Sequence, residues 1–201
     1  MNASIESIIF PPDSKPYGVS YEEWAVKWWR WLLSIPKARN PALDSSGVNS
    51  TCNQDDPNVW FLAGTFGGSA ERKCKIPSEK AIFMPIINYE CSFADAPTVT
   101  TEQELAAKCR NEIDDIRDLA FMLNELSLTD MFPYRMRSPP FTIHLVENNV
   151  LDVDAGPTQM VSDGYWIFLK PLTTGMFHIK SFASCRSGKI RIGTSYELLV
   201  E

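Results

Sequence analysis

The sequence predicts an α+β fold, mainly antiparallel β: a two-layer β-sandwich or flattened barrel of the jelly-roll or immunoglobulin-like kind, with two packed helices at about 21–35 and 102–118. Three observations carry this. From Phe141 onward, β-branched and aromatic residues fall into runs separated by short turns, two of which contain glycine. The segment KAIFMPIIN (80–88) is almost wholly apolar, as a strand buried on both faces should be. Two other stretches, each opened by a capping box, follow helical spacing instead.

Residues 1–19, with Pro11, Pro12 and Pro16, read as an extended N-terminal arm, and 20–201 as a single globular domain. In Ser20-x-x-Glu23 each side chain satisfies the other residue's backbone N–H, which starts the first helix, and Pro36 stops it. At about 100° per residue, Trp24, Trp28, Trp31 and Ile35 share one stripe and Val26, Trp29 and Leu33 a second. Only Glu23, Lys27, Arg30 and Ser34 form a narrow wet sector. A helix apolar around most of its girth is packed on several sides, so its indoles are expected in the core, each N–H needing an acceptor. A polar loop (37–57) leads to VWFLAGTF, read as a strand closed by Gly67-Gly68. Pro85 cannot donate a ladder bond and predicts a bulge or an edge. Thr101-x-x-Glu104 opens the second helix, with Leu105, Cys109, Ile113, Ile116, Ala120 and Leu123 on one face. Its end is placed near Asp118, and AFMLNELSLTD is read as two short strands turning at Asn124-Glu125. FTIHLV (141–146), GYWIFLKPL (164–172), MFHIKSFA (176–183) and KIRIGTSYELLV (189–200) complete the strands, the last three as an antiparallel meander.

Charge narrows the partners. The 201 residues carry 19 Lys and Arg against 25 Asp and Glu, a net charge of −6 with the acids scattered, which disfavours nucleic acid and anionic membrane surfaces. No apolar run approaches the roughly 20 residues that span a bilayer, and the N-terminus lacks a cationic leader pattern. These features predict a soluble cytoplasmic chain, or a secreted one if a leader was removed. Five cysteines at 52, 74, 91, 109 and 185, with no CxxC, read as reduced thiols, a Cys52–Cys74 bridge being the alternative.

The wording YGVSYEEWAVKWWRWLLSIP, then VWFLAGTFGGSAERKCKIP and KAIFMPIIN, then SPPFTIHLVENNV and SDGYWIFLKPLTTG, resembles a group of uncharacterised, mostly bacterial hypothetical proteins over nearly the full length. The resemblance implies one complete domain. It implies no activity and no catalytic residues.

Motifs for chemistry are sparse. The two histidines, His144 and His178, lie on predicted strands, and Glu147 falls on the opposite face from His144, so no metal site is expected. GTFGGSAERK lacks GxxxxGK[ST], no GxSxG occurs, and DVDAG (152–156) lacks the downstream acid of a calcium loop. No cofactor is expected. Cys91 has no helix N-terminus or neighbouring base to activate it. The best-placed polar groups stand where buried strands run out. Glu90, with His144 and Arg135, is the candidate catalytic set, a desolvated carboxylate serving as general acid or base. Asn88, Arg137, Asn148, Asp163, Tyr165 and Trp166 are the candidate ligand-binding residues. The competing structural reading pairs Glu90 with one of the arginines. Two functions are therefore expected: a protein binding a small molecule or protein partner through an aromatic-walled pocket, or a cofactor-independent lyase, isomerase or hydrolase using a buried carboxylate.

Overall fold

Ser20 and Thr101 each accept the backbone N–H of the glutamate three residues on, and each glutamate returns the bond, so both capping boxes form. They open α2 (Tyr21–Leu33) and α3 (Glu102–Asp114) in a computed structural model that describes residues 4–201. A single turn, α1 (Ile5–Ile8), precedes them. The arm is therefore not wholly extended: Ile5 and Ile9 are buried, and Ile9 bridges to Leu169.

Among the described residues, ten strands form two mixed sheets without closing a barrel. The first comprises β1 (Val59–Phe61), β3 (Ala81–Ser92), β8 (Gly156–Leu169) and β6 (Arg135–Arg137) in that order, with β7 (Phe141–Leu145) also paired to β8. The second runs β2 (Gly68–Ile76), β10 (Arg191–Val200), β9 (Gly175–Cys185), β4 (Ile116–Leu123) and β5 (Leu126–Leu128). Pairings are antiparallel except β1 with β3 and β2 with β10. The α+β class and the sheet packing match the expectation, and the barrel alternative falls away. The expected three-strand meander is cut to the β9–β10 hairpin, because β8 pairs with β3, β6 and β7 in the first sheet.

Several boundaries differ from the sequence reading, for identifiable reasons. The second helix ends at Asp114 rather than near Asp118, because Ile116–Leu123 pairs with β9. In that stretch helical and strand periodicity both suit the apolar residues, and pairing along β9 decides. The expected turn follows, with Asn124 in the left-handed region at φ 52°. Strand β2 was not anticipated. Its inward positions are Ala70, Arg72, Cys74 and Ile76, and the inward arginine breaks the alternation that marks a strand. Short β6 has only Met136 buried between two arginines, too few residues to show an alternation. Pro85 does mark a bulge: register with β8 shifts between Pro85 and Ile87.

The main core runs between the layers and under α2. Trp24, Trp28, Trp29 and Trp31 are all buried, as the helical stripes require. Trp24 packs edge-on against Phe168 at 5.4 Å, Trp28 against Trp166 at 5.2 Å, and Trp166 stacks on Phe83 at 5.1 Å. A satellite cluster of Cys91, Ala96, Leu105, Cys109 and Val161 lies under α3. All five cysteines are free.

Candidate functional site

Strand β3 is paired on one side by β1 only as far as Phe83, whereas β8 accompanies the other side to Ser92. Beyond Phe83 the first sheet therefore has an open edge. Along it, at Ile87–Glu90, lies a cavity of about 480 Å³. Trp28, Trp29 and Leu32 of α2 form one wall, and Ile113 and Ile116, at the α3–β4 junction, another. The loop Gly64–Gly68, Val150 and Leu151, and residues 189–192 at the start of β10 complete it, with Glu112, Lys189 and Arg191 as the charged residues of its lining besides Glu90. Gly68 sits at φ 66°, which a residue with a Cβ adopts only under strain, and Phe66 in the same loop is half exposed.

Three polar atoms of residues that line the cavity have no hydrogen-bond partner among the described residues and no accessible surface: Trp29 Nε1, Asn88 Nδ2 and Glu90 Oε2. The neighbouring indoles of the same helix differ. Trp24 donates to the carbonyl of Pro16 at 3.1 Å, Trp28 to that of Leu62 at 2.9 Å and Trp31 to that of Cys52 at 2.8 Å. Leaving a buried donor or acceptor unmade costs about 1–3 kcal/mol, so three at one cavity is a concentration of unrealised bonding. Trp60, Trp166 and Ser162, the register partner of Glu90 on β8, carry further unpartnered buried atoms away from the cavity wall.

Glu90 is 9% exposed. Burial first, and then the neighbouring acid Asp95, raise its carboxyl to about 8 against the partial opposition of the Lys108 ammonium. At neutral pH Glu90 keeps its proton, and the neighbouring Asp95 accepts from the N–H and hydroxyl of Ser92 at 2.7 Å each.

Of the residues singled out from sequence, the cavity holds Asn88 and Glu90. His144 faces outward on β7 and does not reach Glu90. Arg135 is occupied elsewhere: it donates to Asp163 at 2.9 and 2.7 Å and to Asp114 at 2.7 Å, and these bonds hold it charged. Arg137 also meets Asp163, at 3.1 Å. The structural ion pair expected for Glu90 thus belongs to Asp163, one strand away. Asn148 sits in a left-handed turn at φ 54° and its carbonyl accepts from Lys37 N–H. Tyr165 and Trp166 are core residues that do not line the cavity. Cys91 lies fully buried in the satellite cluster, where burial pushes its thiol up to about 11, so it is no thiolate nucleophile at neutral pH. Among the described residues no group of three or more His, Cys, Asp or Glu side chains is placed to hold a metal ion. Among the described residues no helix is long and apolar enough to cross a membrane.

Sequence reasoning missed Trp29, because its helical stripe gave no reason to single it out from three bonded neighbours. It also missed the wall contributed by Gly64–Gly68, although the paired glycines marked a break in the strand pattern there. Comparison with protein-family models, curated proteins and solved structures returns no match.

Proposed function

We propose that this protein binds a small, largely apolar molecule in the cavity between α2, the open edge of β3 and the Gly64–Gly68 loop. The single observation that supports the reading most is the coincidence of apolar and aromatic walls with three unpartnered buried polar atoms. Apolar area supplies affinity and a few fixed polar groups supply orientation, which is the usual division of labour in small-molecule sites. The neutral probe N-phenyl-1-naphthylamine tests it. One probe should bind per chain with a rise in fluorescence, and Ile192→Trp, a substitution on the half-buried wall, should weaken uptake without lowering the melting temperature. Absence of uptake, or uptake indifferent to Ile192→Trp, would refute the cavity as a binding site.

A second reading rests on Glu90 itself. A carboxyl that keeps its proton near neutral pH and shares it with a second carboxyl is suited to general acid or base work. In a cofactor-independent lyase, isomerase or hydrolase, Glu90 would transfer the proton, with neither His144 nor Arg135 assisting. Glu90→Gln separates the two readings, since it would preserve binding and abolish turnover.

A further inference from the structure

Where the cavity meets solvent its lining changes character. Trp28, Trp29, Leu32 and Ile113 are buried and form an apolar floor. The exposed part of the lining is the tip of loop 64–68 together with three charged side chains, Glu112, Lys189 and Arg191. The mouth therefore carries two cations against one acid, on a chain whose net charge is −6. Neighbouring acids do not answer these cations. Among the described residues neither Lys189 nor Arg191 takes part in an ion pair. Asp115 accepts from the Ser187 hydroxyl at 2.7 Å, and Asp118 is engaged by Arg117 at 2.8 Å and by the Ser184 hydroxyl at 2.6 Å. The turn that presents Lys189 is fastened in place: the N–H of Arg186 donates to the Asp115 carbonyl at 2.8 Å, and that of Ile190 to Cys185 Sγ at 3.0 Å. Arg191 is seated over the Phe182 ring, its guanidinium carbon 5.4 Å from the centroid, and a guanidinium stacked in this way keeps its N–H edge free to donate.

We propose that the occupant is a monoanionic carboxylic acid on an aromatic or aliphatic body, the body lying against Trp28 and Trp29 and the carboxylate staying at the mouth with Lys189 and Arg191. A cationic head group would meet like charge from both residues, with Glu112 alone to offset them. Glu90 is buried and its Oε2 has no accessible surface, so the carboxylate belongs at the mouth and not beside it. This inference rests on the cavity being a binding site, and its test separates the two.

Displacement of bound N-phenyl-1-naphthylamine is measured with three probes of similar shape: 2-naphthoate, 2-naphthamide and 2-naphthylmethylammonium. At low salt the acid should bind about fivefold tighter than the amide, the scale of two solvent-exposed charge pairs, and the ammonium probe should bind most weakly. Raising the salt to about 0.5 M should shrink that preference. Lys189→Gln combined with Arg191→Gln should bring acid and amide together, with an unchanged melting temperature as the check on the fold, since both side chains are exposed. Glu112→Gln should widen the preference. Lys180→Gln, at an exposed lysine of β9 outside the lining, should leave it as it was. Equal binding of acid and amide, a preference for the amide or the ammonium probe, or a preference for the acid that survives the double substitution or falls as far in Lys180→Gln, would overturn the anion assignment while leaving the cavity reading intact. Failure of every probe, the fluorescent one included, would overturn both.

Discussion

Arg72 and Glu90 are both ionisable residues drawn into the interior, one on each sheet, and they are treated in opposite ways. Arg72 is 3% exposed and has no carboxylate partner, yet its guanidinium donates to the carbonyls of Asp44 at 2.6 Å, Ala63 at 2.7 Å, Gly64 at 2.9 Å and Ala42 at 3.3 Å, and to the Tyr196 hydroxyl at 2.7 Å. Tyr196 in turn donates to Ala63. The arginine ties the loop around residues 42–44 to the start of the Gly64–Gly68 loop, so it fixes one side of the cavity. Glu90 has a neighbouring acid and an oxygen with nothing to bond. A buried group whose every direction is answered is a structural device. One left partly unanswered beside an apolar cavity is what a binding or reactive site requires.

Breaking the saturated side should have the larger effect. Arg72→Ala leaves the carbonyls of Ala42, Asp44 and Gly64 and the acceptor side of the Tyr196 hydroxyl without their donor and should destabilise the fold by roughly 3–4 kcal/mol in chemical denaturation, more than any surface ion-pair variant. Lys75 with Glu201, an exposed pair at 3.2 Å, is the control and should change stability by about 1 kcal/mol or less. A smaller effect sharpens the same contrast within α2. Trp28→Phe and Trp29→Phe remove similar volume, but only Trp28 donates a hydrogen bond. Trp28→Phe should therefore cost about 1–2 kcal/mol more than Trp29→Phe in the empty protein, and the order should narrow once the cavity is filled. Equal costs would mean that the unpartnered indole is no different from its bonded neighbours.

The sequence carried the frame of the fold because local chemistry specifies it: two capping boxes start two helices, Pro85 marks the bulge, and Asn124 turns β4 into β5. It was silent where pairing across the molecule decides. Ile116–Leu123 satisfies helical and strand patterns alike until β9 is alongside, and Arg72 hides β2 by pointing a charge inward. The site shows the same division. Glu90 and Asn88 were legible as polar residues ending an apolar strand. The partner of Arg135 was not, since Asp163 is reached only when β6 lies against β8. Nor was Trp29 legible, because whether an indole N–H finds a carbonyl is a property of the packed structure and not of the helical stripe.

The second reading of the cavity depends on Glu90 being dry, with Lys108 too weak to offset its burial, and stability against pH measures that directly. The folded protein retains the Glu90 proton up to about pH 8, whereas the unfolded chain releases it near 4.5. Folding stability from this group is therefore greatest below pH 4.5, falls as pH rises through that window, and is flat above it, a loss on the order of a few kcal/mol. Glu90→Gln cannot titrate. Urea denaturation of both proteins from pH 4.5 to 8.5 should show the wild type losing stability relative to Glu90→Gln across that range. Parallel curves would place the Glu90 carboxyl in the ordinary range, paired or hydrated, and would contradict the account.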